Sequence, residues 1–328
     1  MSSVNLPFKM PMFSTYHNIA GAGVVAANNP TSDIWYYNNA IQWRCIKPGN
    51  IDYQSLDLQM LHASVWDMPF VDKTDTSLRF IRKYIAEIIE DIISESCYVI
   101  FGGVDDYFIE GKSGYRQRHF AHDGLITGFD SERRVFTMAA YNTNFFYKVF
   151  ETPYDGFISG VNYMCDRKKY GTITAAAARN EIQTLDVSHI KEEIFQYMQT
   201  STVNGSYGEM PIEVVYGSGV YDCIILYLEC FENQLYAIDN EIQIVFKLIY
   251  EHKRCMFNRI KYVEAFFKFD NFFSEAYKQV VKISEIARMT IIKFGLTREI
   301  RLIETVKKHI TKMKDIEYNI LNGFINKF

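Results

Sequence analysis

Two histidines stand three residues apart in RHFAHDGLITGFD, residues 118–130: His119 and His122. On a helix that spacing would put both imidazoles on one face, where Asp123 could join them around a metal ion. The run LIT that follows has strand character, and along a strand an odd spacing sends the two rings to opposite faces. A two-histidine metal site is therefore not expected, nor is any cofactor. What remains is the chemistry of one imidazole, proton transfer near neutral pH. His122 is the candidate general base and His119 lies outside the site. The plainer alternative is that either ring is a structural residue at a strand end.

A general base needs partners. In a cysteine-protease-like arrangement the nucleophile stands at a helix N-terminus, where the helix dipole supports its anion. The histidine comes from a strand far along the chain, and an Asp or Asn on the next strand orients its ring. This chain has that order. A helix of small residues (Ala20, Gly21, Ala22, Gly23) begins near residue 15, with Ser14 or Thr15 as its N-cap. His122 then opens a strand, and Asn142 ends the neighbouring one in MAAYNTN.

These residues must be positioned by a mixed scaffold. CYVIFGGVDDYF, HDGLITGFD and RRVFTMAAYN read as three strands, the last two joined by a polar hairpin turn. Leu78, Ile81, Ile85, Ile88 and Ile92 have helical spacing and predict a helix over 75–95, starting at Thr74 or Thr76. EIQTLDVSHIKEEIFQYMQT reads as a strand leading into a helix capped near Ser188. From GVYDCIILYLECF onward the pattern is helical, with Gly295 as a C-cap and Thr297 as the N-cap of the last helix. The expectation is an α+β fold with an antiparallel sheet over residues 1–215, and a helical region over 216–328 packed against it as a bundle.

HDGLITGFDSERRVFTMAAYN is similar to the His-strand-Gly-x-Asp-strand segment of papain-like, bacteriocin-processing-type cysteine peptidases. With VDDYFIEGKSGYRQRHFAHDGLITGFD, YGSGVYDCIILYLE and YEHKRCMFNRIKYV, the chain resembles the butirosin biosynthesis protein H N-terminal family over most of its length. The resemblance implies a papain-like fold with a helical extension. It also implies amide formation, by acyl transfer from a carrier-protein thioester to an amine in bacterial nonribosomal peptide or polyketide biosynthesis. The spacing of six residues from the histidine to Gly128 selects His122, with Asn142 holding its tautomer. The family's nucleophile is a cysteine at the start of the first helix, whereas here no cysteine precedes Cys45. The position falls on Ser14, Thr15 or Tyr16, and a hydroxyl needs far stronger activation than a thiol. The family's upstream glutamine is also missing, and Asn5 is the only amide in that stretch.

Composition narrows the partners. A net charge of −4 argues against a general nucleic-acid binder. No apolar run approaches the length of a membrane span, so no membrane partner is expected. The six cysteines form no C-x-x-C pair, no basic-then-apolar leader is visible, and a cytoplasmic protein with reduced thiols is the expectation. The implied partners are an acyl or peptidyl carrier protein and a small-molecule amine, with phosphopantetheine present only as part of the carrier substrate. His252, Lys253, Arg254, Arg259 and Lys261 offer a basic stretch that could steer an acidic carrier helix, against the plainer reading of a solvated helix face. Two further readings stay open: a noncatalytic carrier- or product-binding module that keeps the fold, and a helical partner protein.

Overall fold

The computed structural model describes residues 3–48, 56–143, 146–233 and 241–327. In chain order the first half holds β1 (Ser3–Asn5), α1 (His17–Ala26), α2 (Ser32–Asn39), β2 (Trp43–Ile46), β3 (Gln59–Met60), β4 (Val71–Ser77), α3 (Leu78–Ile81), α4 (Ile85–Ser94), β5 (Tyr98–Asp105), β6 (Ala121–Asp130) and β7 (Val135–Tyr141). The second half holds β8 (Tyr147–Pro153), α5 (Tyr154–Asp166), β9 (Thr172–Ala178), α6 (Val187–Met198), β10 (Ser201–Tyr207), β11 (Met210–Tyr216), α7 (Val220–Glu232), α8 (Glu241–Phe267), α9 (Phe272–Thr297) and α10 (Arg301–Ile325). The fold is mixed α+β with antiparallel sheets and a C-terminal helical bundle.

The chain divides into two compact units, Met1–Ser32 with Ala63–Ile182, and Asp33–His62 with Gln183–Phe328. The sequence reading placed one boundary at 215/216. The structure instead assigns residues 33–62 and 183–215 to the unit of the C-terminal helices. The reason is a sheet: β2 pairs with β11 across some 170 residues of chain, giving the order β10-β11-β2-β3.

The first unit is built on a seven-stranded antiparallel sheet of order β4-β9-β5-β6-β7-β8. β1 continues the β5 edge of β6 beyond the start of β5, pairing Asn5 with Gly128. Only glycine fits there, because a Cβ at Gly128 would meet Asn5 Oδ1 at 2.3 Å and the Val4 carbonyl at 2.5 Å. One core lies between the sheet and α3, α4 and α5, where Ile85, Ile89 and Ile93 pack with Val99, Phe101, Ile126 and Phe157. The helix expected over 75–95 is shorter than its pattern suggested. Val71–Ser77 is an edge strand paired with β9, and α4 starts at Ile85. α1 packs near Ile100 and Leu125 and is buried on nearly every side, as its small residues allow.

In the second unit α8, α9 and α10 are long helices with turns at 268–271 and 298–300. Three caps move from their expected places. α9 runs through Gly295 and Thr297 to a left-handed Arg298, and α6 is capped by Asp186, whose carboxylate accepts from His189 N–H at 2.9 Å. No strand precedes α6 within 181–186.

The bundle encloses a buried polar cluster. The Glu317 carboxylate accepts from the hydroxyls of Tyr197 (2.8 Å), Tyr221 (2.5 Å) and Tyr277, and pairs with Lys253 Nζ at 3.0 Å. Lys253 Nζ also lies 4.1 Å from the centre of the Trp43 ring. Arg259 is fully buried, donating to the carbonyls of Tyr36, Tyr37 and Ala40 at the end of α2. The basic stretch in α8 is therefore largely structural, and for its buried residues neither a solvated face nor a steering surface holds. His252, Lys253 and Arg259 are interior, and only Arg254 and Lys261 are exposed. Among the described residues no helix is long and apolar enough to cross a membrane.

Replacing Lys253 by Met leaves Glu317 as an uncompensated buried charge and is expected to cost about 3–5 kcal/mol in denaturant unfolding. Adding Glu317→Leu should recover part of that loss. A single-variant loss below about 1 kcal/mol, the range of exposed pairs, would contradict this account.

The same cluster sets a pH dependence. Burial, reinforced by Glu317, holds the Tyr197, Tyr221 and Tyr277 phenols well above their usual range. Unfolded phenols lose protons near pH ~10 while the folded ones keep them, so the native state binds more protons and stability falls as pH rises above about 10. Lys253, pushed down to about 8 by burial against the pull of Glu317, acts oppositely between about pH 8 and 10. The unfolding midpoint should therefore hold or rise up to about pH 9.5 and drop beyond it, less steeply in Tyr277→Phe. A midpoint that keeps rising above about pH 10.5 would rule out the retained phenol protons.

Candidate functional site

β5 ends at Asp105, a second aspartate follows it, and the chain returns through residues 106–120 to enter β6. The register sets Val104 opposite His122 and Asp105 opposite Ala121. His122 lies in β6, whereas His119 stands in the loop before it, and the two rings find different partners. His119 Nδ1 lies 2.7 Å from Asp105 Oδ2, with its ring stacked between Tyr107 (4.3 Å) and Tyr163 (4.1 Å). His122 Nδ1 lies 2.7 Å from Asp106 Oδ2, with its ring edge-on to His17, 4.1 Å between centroids. His17 is the first residue of α1. His122 is thus the histidine that meets the start of the first helix.

Asp106 is buried, and a buried carboxylate needs partners on both oxygens. Its second oxygen faces Lys112 Nζ at 3.4 Å. Lys112 is 1% exposed and also donates to the Asp123 carbonyl at 3.1 Å. Burial lowers the affinity of this amine for its proton, while Asp106 and then Asp123 oppose that shift. Lys112 Nζ is also 3.4 Å from His17 Nε2, and that same nitrogen accepts the Tyr141 backbone N–H at 3.1 Å. A nitrogen that accepts an N–H carries a lone pair, so neutral His17 holds its proton on Nδ1.

The sequence-selected residues fare differently. His122 takes the central position. Asn142 does not hold its Nδ1, because that partner is Asp106. The Asn142 side chain instead accepts from Phe146 N–H at 3.0 Å, and its backbone N–H donates to Phe146 O at 3.0 Å, closing the turn between β7 and β8. α1 starts one to two residues later than a Ser14 or Thr15 cap would allow. Tyr16 is the N-cap, with φ of 63°, a left-handed backbone that a non-glycine adopts at a cost, and its side chain makes no capping hydrogen bond. Thr15 is fully buried and Ser14 nearly so, and the Ser14 carbonyl accepts from the Tyr141 hydroxyl. The side chain the structure places beside His122 is that of His17. Sequence reasoning passed over His17, Asp106 and Lys112. The available signal was the equal pairing of two adjacent aspartates with two histidines.

Cys45 belongs to β2 in the other unit. It is buried, with its thiol pushed up by a hydrogen bond to Cys223 and by burial. Within the first unit Cys97 bonds the Glu95 carbonyl and Cys165 belongs to the α5 core. Among the described residues no group of three or more His, Cys, Asp or Glu side chains is placed to hold a metal ion. No protein-family model matches the sequence, and a search of curated proteins returns no match.

With Nδ1 donating to Asp106, neutral His122 presents the Nε2 lone pair, and among the described residues Nε2 has no hydrogen-bond partner. Nitrogen NMR of the histidines should find His122 in the Nδ1–H form. Asp106→Ala should lose that preference without moving His119, whose carboxylate is Asp105. An Nε2–H ring at His122 in the unmodified protein would contradict the assignment.

Proposed function

We propose that the first unit is a papain-like acyltransferase of bacterial natural-product biosynthesis, forming an amide from a carrier-protein thioester and a small amine. The observation that supports this most is the Asp106–His122 pair held against the start of α1. A carboxylate on Nδ1 fixes the tautomer that exposes a basic Nε2 and stabilises the imidazolium once it forms.

In this reading no covalent enzyme intermediate is needed. The amine nitrogen attacks the thioester carbonyl while His122 Nε2 removes its proton. The C–N bond forms, the C–S bond breaks, and His122 returns the proton to the departing phosphopantetheine thiolate. A thioester is already activated, so holding the amine beside it supplies much of the rate. Lys112 keeps Asp106 in place and compensates its charge. Ser14, Thr15 and Tyr16, the nucleophile candidates from the sequence, have no role in this route.

A second reading, a noncatalytic module that binds the carrier or its product, is favoured by one specific observation. His17 stands at the start of α1 beside His122 and presents an occupied Nε2 in place of a thiol.

Incubating the protein with acyl-loaded carrier protein and a panel of amines, read by intact mass, separates the two. The enzyme reading predicts amide product, with turnover about 10²–10⁴-fold lower in His122→Ala and strongly reduced in Asp106→Asn. Undiminished product in His122→Ala would remove the base. Carrier binding without product from any amine would favour the module.

A further inference from the structure

Two turns on the outer side of α3 and α5 come together in the first unit. Leu78 N–H donates to the Gly171 carbonyl at 3.0 Å, Arg82 pairs with Asp166 at 2.7 Å, and the Arg79 guanidinium lies 5.0 Å from the centre of the Tyr170 ring. The joined surface interleaves cations with aromatic rings. Asp166 neutralises Arg82, and the Arg167 guanidinium is spread over Tyr163 at 3.4 Å. That leaves Arg79, Lys83, Lys168 and Lys169 exposed and without a carboxylate partner among the described residues. Between them stand Phe80, 79% exposed, and Tyr84, 55% exposed. A chain of net charge −4 concentrates positive charge here and leaves a phenylalanine in water beside it.

We propose that this surface anchors the protein peripherally to an anionic lipid membrane. Aromatic side chains projecting among lysines and arginines match a lipid interface, where rings enter the headgroup region and cations meet lipid phosphates. An acidic protein partner would instead call for a pocket to receive its anchors, and here the apolar groups stand out from the surface. The sequence expectation of no membrane partner rested on the lack of a spanning segment, which a peripheral anchor does not need. The proposal is independent of the chemistry at His122.

Vesicle co-sedimentation of the full chain tests it, with phosphatidylcholine alone and with equal parts phosphatidylcholine and phosphatidylglycerol. The expected result is binding to the mixed vesicles only, weakened by salt. Arg79→Glu with Lys83→Glu should lower it by about tenfold or more, and Phe80→Ser with Tyr84→Ser should also weaken it clearly. Lys308→Glu with Lys312→Glu, on α10, serves as the charge control. Circular dichroism and the unfolding midpoint establish that each variant folds. The proposal is overturned by no binding to the mixed vesicles, by loss in the control equal to that in the Arg79/Lys83 pair, or by full binding in the Phe80/Tyr84 pair. It is equally overturned if the surface captures a polyglutamate peptide but not the vesicles.

Discussion

Two buried carboxylates in succession, Asp105 and Asp106, govern the geometry of the first unit. Neither can stay charged in the interior without partners, and adjacent residues at a strand end point to opposite sides. Asp105 is satisfied by the Tyr107 and Phe120 N–H groups and by His119, which locks the return of the chain into β6. Asp106 is satisfied by His122 and Lys112, and Lys112 in turn reaches His17 at the start of α1. Strand, loop, second strand and helix are thereby tied through one carboxylate. The same constraint that completes the fold leaves one imidazole oriented and partly exposed.

The start of α1 decides what that imidazole can do. Its first side chain is an imidazole, its N-cap is a strained tyrosine, and the hydroxyls before it are buried. The proposed chemistry therefore relies on a base acting on an already activated thioester. The buried Lys253–Glu317 cluster in the other unit is a different use of charge. Its phenols and ammonium satisfy one carboxylate within a helical core, so its perturbed titrations report packing.

Periodicity made much of the scaffold legible. The isoleucine stripe of α4, the β6–β7 hairpin and the long C-terminal helices follow local patterns. What failed was non-local. Val71–Ser77 is a polar edge strand whose pairing with β9 no neighbouring residue announces, so the helical pattern beyond it was extended too far. Residues 33–62 join the second unit only because β2 pairs with β11. At the site, the six-residue spacing to Gly128 pointed to His122, and it is His122 whose ring meets His17 at the start of α1. Its partner was missed because Asp106 follows the end of a strand and reaches His122 only through the fold-back of residues 106–120. Asn142, at the matching place on the next strand, is used to close a turn. Arg259 and Lys253 look like surface charges in sequence, and only the carbonyls at the end of α2 and the carboxylate of α10 show why they are interior.

The central claim is that His122, oriented by Asp106, moves the proton in acyl transfer. Chemical rescue tests it most directly: amide formation by His122→Gly measured with and without added imidazole, under saturating acyl-loaded carrier protein and amine. The account predicts a nearly inactive variant whose rate rises with imidazole concentration, while Asp105→Asn, on the other face of the sheet, shows no such response. A His122→Gly variant as fast as the unmodified protein, with no response to imidazole, would contradict it.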